Sequence, residues 1–373
     1  MIYLDYSATT PANKEVVDTF SKVSLEYIGN PNSLHKLGVE ARKLMDAAVK
    51  QVSELIGVKE NEIIFTSGAS EANNLAIMGV IGKYLNRGRH IITTKLEHSS
   101  ILECVNYLEK NGYIIDYVDV KEDGMIDIEH FKSLLTKETV LVTIHHVNSE
   151  VGFCQNISKI GEILHDFPTT IFHVDGTQAI GKIPVSLDNV DLYSFSSHKF
   201  YGLKGVGGLI KKSNIEIEPM IHGGKSQTGY RSGTPALPLI ASTAKALRLA
   251  LNDLDKNYNY VLELSNYLKN ELKSIDGIVI NSNNNCIPHI VNISVLGIKP
   301  ETILHALEEK DIYISTKTAC SKDNSDSLTL TTIGRDSSVS GHSIRISLSH
   351  LTTYSEINNF VENLKLCINK LKF

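Results

Sequence analysis

No stretch of this 373-residue sequence approaches the roughly 20 consecutive apolar residues of a membrane-spanning helix, so no membrane partner is expected. The N-terminus, Met1-Ile2-Tyr3-Leu4-Asp5, lacks a basic region followed by an apolar one; no signal peptide is expected, and the reading is cytoplasmic. Paired cysteines are missing too. The five, Cys104, Cys154, Cys286, Cys320 and Cys367, are odd in number and scattered, with no Cys-x-x-Cys. That pattern excludes a disulfide framework and a zinc site, and fits a reducing compartment with no metal. Positive charge is not in excess: 37 basic against 42 acidic residues leave a net charge of −5, which argues against direct nucleic-acid binding. A P-loop lysine and a GxGxxG pattern are absent, as are internal repeats and a long disordered tail.

What is present is an ordinary globular composition, 42% hydrophobic and 21% charged, at a length that favours two domains over one. Short apolar runs alternate with helical patterns. Strands are expected over 62–66, 90–94, 113–118, 140–145, 170–174 and 191–195, with helices over 72–84, 101–110, 128–135 and 157–167 between them. Repeated strand–helix units predict an α/β fold, a mostly parallel sheet with helices on both faces. A glycine-rich loop over 220–235 precedes a long helical stretch over 237–272, and a smaller α+β unit follows. The expected division is a large domain, 12–255, and a small domain, 1–11 with 256–373.

Polar residues recur where strands end: His98, Asn148, Asp175, Gln178, His198 and Lys199. In open α/β sheets, ligands bind at that edge. Lys199 ends Ser196-Ser197-His198-Lys199 and precedes a turn containing Gly205, Gly207 and Gly208. It is either a solvated surface charge or an amine able to form a Schiff base. Ser67-Gly68-Ala69-Ser70 between strand and helix is either a plain capped helix start or a phosphate cradle of backbone N–H groups. Suppose Lys199 carries pyridoxal 5′-phosphate (PLP). Gly68, Ala69 and Ser70, with Ser196 and His198, then suit its phosphate, and Asp175 its ring nitrogen. His98 suits stacking and proton transfer, and the Gln178 amide suits the phenolate oxygen.

The ordered set Leu4-Asp5-Tyr6-Ser7-Ala8-Thr9-Thr10-Pro11, Gly29-Asn30-Pro31, Thr66-Ser67-Gly68-Ala69-Ser70-Glu71, Glu97-His98, His146-Val147-Asn148, Val174-Asp175-Gly176-Thr177-Gln178, Ser196-Ser197-His198-Lys199, Arg231-Ser232-Gly233-Thr234, Ala319-Cys320-Ser321 and Ser343-Ile344-Arg345-Ile346-Ser347 resembles the cysteine desulfurases of the NifS/IscS kind. These belong to the class V aminotransferase-like branch of fold type I PLP enzymes. The resemblance implies that L-cysteine is converted to L-alanine, with a persulfide left on Cys320. Arg345, helped by Asn148 and with Asn30 as a further contact, would hold the substrate carboxylate. His98 would deprotonate the Cys320 thiol. Thr234 would reach the phosphate of the partner subunit in a homodimer. Cys320 lies in a polar stretch far before Arg345, like the cysteines carried on mobile loops that deliver sulfur to an acceptor protein. The alternatives on the same fold are a selenocysteine lyase or an aminotransferase, of which the latter needs no thiol.

Some positions depart from the family pattern: Lys225-Ser226-Gln227-Thr228 after His222-Gly223-Gly224, Thr316-Lys317-Thr318-Ala319 before the cysteine, Ser149, and His289. None removes a catalytic group; together they bear on the acceptor. Because the chain ends at Phe373, a tRNA-thiolating sulfurtransferase is carried beside an iron–sulfur scaffold as the expected acceptor.

Overall fold

The computed structural model describes residues 1–224, 227–316 and 326–371. Cys320 and the polar stretch around it lie outside the described residues.

The strand–helix alternation builds a seven-stranded sheet ordered Ile63–Thr66, Gly207–Lys211, Leu192–Ser196, Ile171–Asp175, Thr139–His145, His90–Thr93 and Ile114–Tyr117. Only Gly207–Lys211 runs against its neighbours. The pleat sends alternate residues to opposite faces. Val142, Phe172 and Val174 face one core, while Leu141, Ile171 and Leu192 face the other. Helix Lys36–Ile56 helps cover the first face; helices Ala69–Lys83 and Ser99–Lys110 cover the second. Both faces are dry, which is why the strands read as short unbroken apolar runs.

Gly207 and Gly208 were expected in a turn, but they open a buried strand. Gly205 alone makes that turn, at φ +82°. A methyl group on Gly207 would stand 2.4 Å from the Phe195 carbonyl oxygen and 2.8 Å from Gly68 Cα. Glycine therefore lets the strand pass between its neighbour and the Gly68 turn. The helical stretch over 237–272 is two helices, Leu237–Asn252 and Leu254–Lys273, broken at Asp253.

Beyond the break, Ile278–Ile280, Ile290–Val295 and Ser343–Ser347 form an antiparallel sheet, with helices Pro300–Glu308 and Tyr354–Leu371 packed nearby. Its core holds Val261, Leu264, Ile293, Ile346 and Phe360. Leu4 belongs to the same core, because the N-terminal segment crosses over: Ile2–Tyr3 pairs with Ile312–Tyr313, and Asp5 bridges to Ser347. Among the described residues, no helix is long and apolar enough to cross a membrane, and no three His, Cys, Asp or Glu side chains group as metal ligands.

Candidate active site

The parallel strands end on one edge, and there a cavity of about 540 Å³ opens, a size suited to a small ligand. Its lining includes Gly68, Ala69, Ser70, His98, Asn148, Asp175, Gln178, Ser196, His198, Lys199 and Arg345. Thus nearly every residue singled out from the sequence arrives at one place. Asn30 does not: it sits in an exposed turn, its Oδ1 accepting from Asn32 N at 3.0 Å. Thr234 is also exposed and away from this cavity.

Lys199 closes a single 3₁₀ turn, Ser197–Lys199, directly after strand Leu192–Ser196. Its Nζ donates to the carbonyls of Ser7 at 2.5 Å and Ala8 at 2.9 Å. The N-terminal segment thus forms the wall behind the lysine, which sequence reasoning missed. The same segment grips His198: Thr9 Oγ1 meets its Nδ1 at 3.0 Å, and Thr10 donates to its carbonyl from both N and Oγ1. Burial pushes His198 down to about 4, and the charges of Lys199, Lys204 and Lys182 add to this, so the ring is neutral at neutral pH. Three residues after His198, Tyr201 is held in the left-handed region, φ 65°, with its N–H on Thr10 Oγ1 and its hydroxyl 2.6 Å from Ser349. A non-glycine residue there is strained and needs such anchors.

Gly68 caps helix Ala69–Lys83 without any side-chain hydrogen bond. A Cβ there would make only ordinary contact with Ser196 Oγ, at 3.6 Å; what favours glycine is the φ of +157°. Glu71 turns back to accept from Ser67 N at 2.7 Å and from Arg231 Nε at 3.0 Å. Ala69 and Ser70, in the first turn of this helix, line the cavity, and a helix start favours an anion.

Asp175 ends its strand. Asn73 Nδ2 donates to its Oδ2, and Thr177 N to its Oδ1, both at 2.9 Å. Asn73 Oδ1 is buried without a partner. A carboxylate fixed in this way suits a protonated ring nitrogen. Gln178 donates from Nε2 to the Ser7 carbonyl at 2.9 Å and accepts on Oε1 from Lys182 Nζ at 2.5 Å. A phosphate-bearing, nitrogen-containing aromatic group therefore fits the residues present: a helix start for one end, a carboxylate for the other, and an amine between.

His98 caps helix Ser99–Lys110, its Nδ1 accepting from Ser100 N at 3.1 Å. Burial lowers its pKa, only partly opposed by Asp175. The neutral ring with Nδ1 accepting carries its proton on Nε2. As placed, His98 is a donor at Nε2. Serving as base toward a thiol requires a tautomer exchange that gives up the Ser100 N–H contact. Behind it, His145 Nδ1 lies 2.8 Å from the buried Glu97, whose Oε1 also takes Thr94 Oγ1 at 2.7 Å.

Arg345 is 2% exposed. Its Nη2 donates to Asp5 Oδ1 at 2.7 Å and its Nη1 to the Ser149 carbonyl at 2.8 Å, while Nε is buried with no partner. Asn148 is engaged locally: Oδ1 accepts from Glu150 N and Val151 N, and Nδ2 donates to the Leu96 carbonyl.

Residues 2–360 match the Aminotransferase class-V family. The chain is 38% identical over 376 residues to "Cysteine desulfurase IscS" of Dictyoglomus turgidum, covering 100% of this chain and 95% of that one. Among solved structures, a "NifS-like protein" superposes with a TM-score of 0.94 at 34% identity, over 99% of each chain. A structure titled "SspA in complex with cysteine" matches with a TM-score of 0.83 at 30% identity, over 95% of this chain and 100% of that one.

Proposed function

The chain belongs to the aminotransferase class-V family and is a PLP-dependent cysteine desulfurase, and on that premise we propose how its residues divide the work. The observation that carries the assignment is the convergence of Lys199, Asp175, His98 and the Gly68 turn on one cavity, in a chain alike to cysteine desulfurases along its whole length. When bound, PLP supplies an electron sink joined to the substrate amine.

Lys199 holds the cofactor covalently. The amides of Gly68, Ala69 and Ser70, with Ser196 and His198, hold its phosphate. Asp175 holds a proton on the ring nitrogen, Gln178 donates to the phenolate oxygen, and His98 stacks on the ring. Arg345 takes the substrate carboxylate with its unpartnered Nε, and the carboxylate competes with Asp5 for Nη2. Asn148 shapes this part of the wall through the turn it closes on Val151. The Cys320 thiolate attacks the substrate sulfur: an S–S bond forms, the substrate C–S bond breaks, and alanine leaves once its carbon is protonated. The thiol proton has to be taken up within the site, and His98 is the acceptor assigned to it once its tautomer changes.

We assign residues 12–255 to a large domain and 1–11 with 256–373 to a small one, a division that the separate core around Leu4 and Val261 supports. A second copy completes the enzyme. Leu25, Ile28 and Leu34, 79%, 74% and 97% exposed, are apolar residues in the segment around Asn30, and Met220 and Ile221 are exposed in the loop that leads to Thr234. Such exposed apolar residues fit a homodimer in which Asn30 and Thr234 serve across the interface. Sulfur passes to an acceptor protein, either an iron–sulfur scaffold or a tRNA-thiolating sulfurtransferase, in the cytoplasm. A selenocysteine lyase or an aminotransferase is not favoured.

The test is incubation with isotope-labelled cysteine, followed by mass mapping of the persulfide. It is expected on Cys320 and absent from Cys320→Ser, with alanine released in equal amount. A persulfide that persists in Cys320→Ser assigns the nucleophile elsewhere.

A further inference from the structure

Lys182 is an amine placed deep in the protein, 8% exposed, four residues after Gln178, and burial, with Lys199 and Arg345 beside it, pushes its pKa well below the usual lysine value. A single helical turn, in which Ala179 N and Ile180 N bond to the Gly176 carbonyl and Lys182 N to that of Ala179, brings the two side chains onto one side. Its Nζ meets Gln178 Oε1 at 2.5 Å, and among the described residues no carboxylate lies within ion-pair distance. The groups that face it are positive or neutral: Lys199 and His198 from the lysine loop, Arg345 from the small sheet, and the buried His289. Lys182 also borders a second cavity, of about 300 Å³, where the acids are Asp253 and Glu15; Glu15 is already paired with Lys245.

A glutamine amide has one accepting and one donating end, and here both neighbours demand the same orientation. Ser7 O can only accept, so it fixes Nε2. Lys182 supplies hydrogens, so it fixes Oε1. Lys199 Nζ donates to that same Ser7 carbonyl, which joins Lys182, Gln178 and Lys199 in one chain of hydrogen bonds. We propose that Lys182 is the positioning residue of this site: by occupying Gln178 Oε1 it holds the amide with its NH₂ toward the cofactor. This rests on the assignment of Gln178 to the cofactor made above.

The experiment uses PLP-loaded protein and follows the cofactor's visible absorbance against pH, beside PLP affinity. A hydrogen-bond donor to the phenolate oxygen favours the cofactor's deprotonated form, so its loss or misorientation raises the midpoint. Lys182→Met and Gln178→Leu are each expected to raise it by about one pH unit and to weaken PLP binding by up to about tenfold. The double variant is expected to shift no further than Gln178→Leu alone, because Lys182 acts through Gln178. Lys182→Arg, which keeps the donor, is expected to stay near wild type. Melting of cofactor-free Lys182→Met, expected to match wild type, separates a folding defect from a positioning one; if that variant does not fold, Lys182→Leu, which also lacks a donor, carries the same test. A shifted Gln178→Leu with an unshifted Lys182→Met overturns the proposal, as do additive shifts, which would mean that charge acts without the amide. No shift in either variant instead overturns the Gln178 contact itself.

Discussion

Gly207→Ala tests how the sheet builds the phosphate end of the site. The added methyl group would stand 2.4 Å from Phe195 O, 2.8 Å from Gly68 Cα and 2.9 Å from Gly68 C. All three are backbone atoms, so no side chain can swing away. Restoring ordinary contact distances requires the gap to open by about 1 Å. On one side is Leu192–Ser196, tied to this strand by paired hydrogen bonds from Leu192 to Ser196; the weaker side is the Gly68 turn. Overpacking of this kind costs about 1–3 kcal/mol, which for a chain of this length lowers the melting temperature by about 1–4 °C. The larger effect falls on the cofactor. Displacing the Ala69 and Ser70 amides from a charged phosphate costs about 1.5–3 kcal/mol per hydrogen bond, or tenfold to hundredfold in PLP affinity. Gly205→Ala is the control: at φ +82° with nothing within 4 Å of a Cβ, it pays only the local backbone cost of about 1–2 kcal/mol. Equilibrium PLP binding and thermal unfolding with and without PLP decide. If Gly207→Ala binds PLP as Gly205→Ala does, the strand does not set the position of the cradle.

Three further outcomes are expected. Asp5→Asn leaves the buried Arg345 guanidinium without its counter-charge and is expected to cost about 3 kcal/mol in urea unfolding; a loss below about 0.5 kcal/mol would put the pair among exposed, weak ones. Burial holds His146 and His173 at about 4 and His289 at about 3 in the folded chain, below the free-histidine value. Each contributes stability that is present above the unfolded value near 6.5 and lost as pH falls toward the folded one, about 2 kcal/mol per histidine by pH 5. His173→Gln should flatten that acid slope, and an unchanged slope would mean that His173 is not a neutral link between Thr143 and Ser194. Lys199→Ala is expected to bind PLP without a borohydride-stable attachment; a label that persists places the attachment on another amine.

The candidate site was legible wherever a strand ended in a polar residue. Alternating apolar runs and helical patterns imply one mostly parallel sheet, whose parallel strands all end on one edge. His98, Asp175 and Lys199 therefore share a cavity for a reason readable along the chain. Gly207–Lys211 was not legible, because two glycines opening a five-residue strand look like a turn until the Gly68 backbone is seen beside them. Lys182 was missed for a related reason: a lysine four residues after a glutamine is ordinary on a solvated helical turn, and only the packing around it removes the solvent. His98 could be recognised as a ring in the site, but which nitrogen holds its proton depended on the Ser100 amide.

The sequence by itself determined the sheet, the edge that carries the chemistry and the types of group arriving there, because periodicity and strand-end chemistry are local properties. Only the tertiary structure decided what holds those groups in place. Lys199 rests on the carbonyls of Ser7 and Ala8, about 190 residues away, and Arg345 is paired with Asp5 across most of the chain. Contacts at such separations are set by how the N-terminal segment crosses between the two cores, and no local pattern records that path.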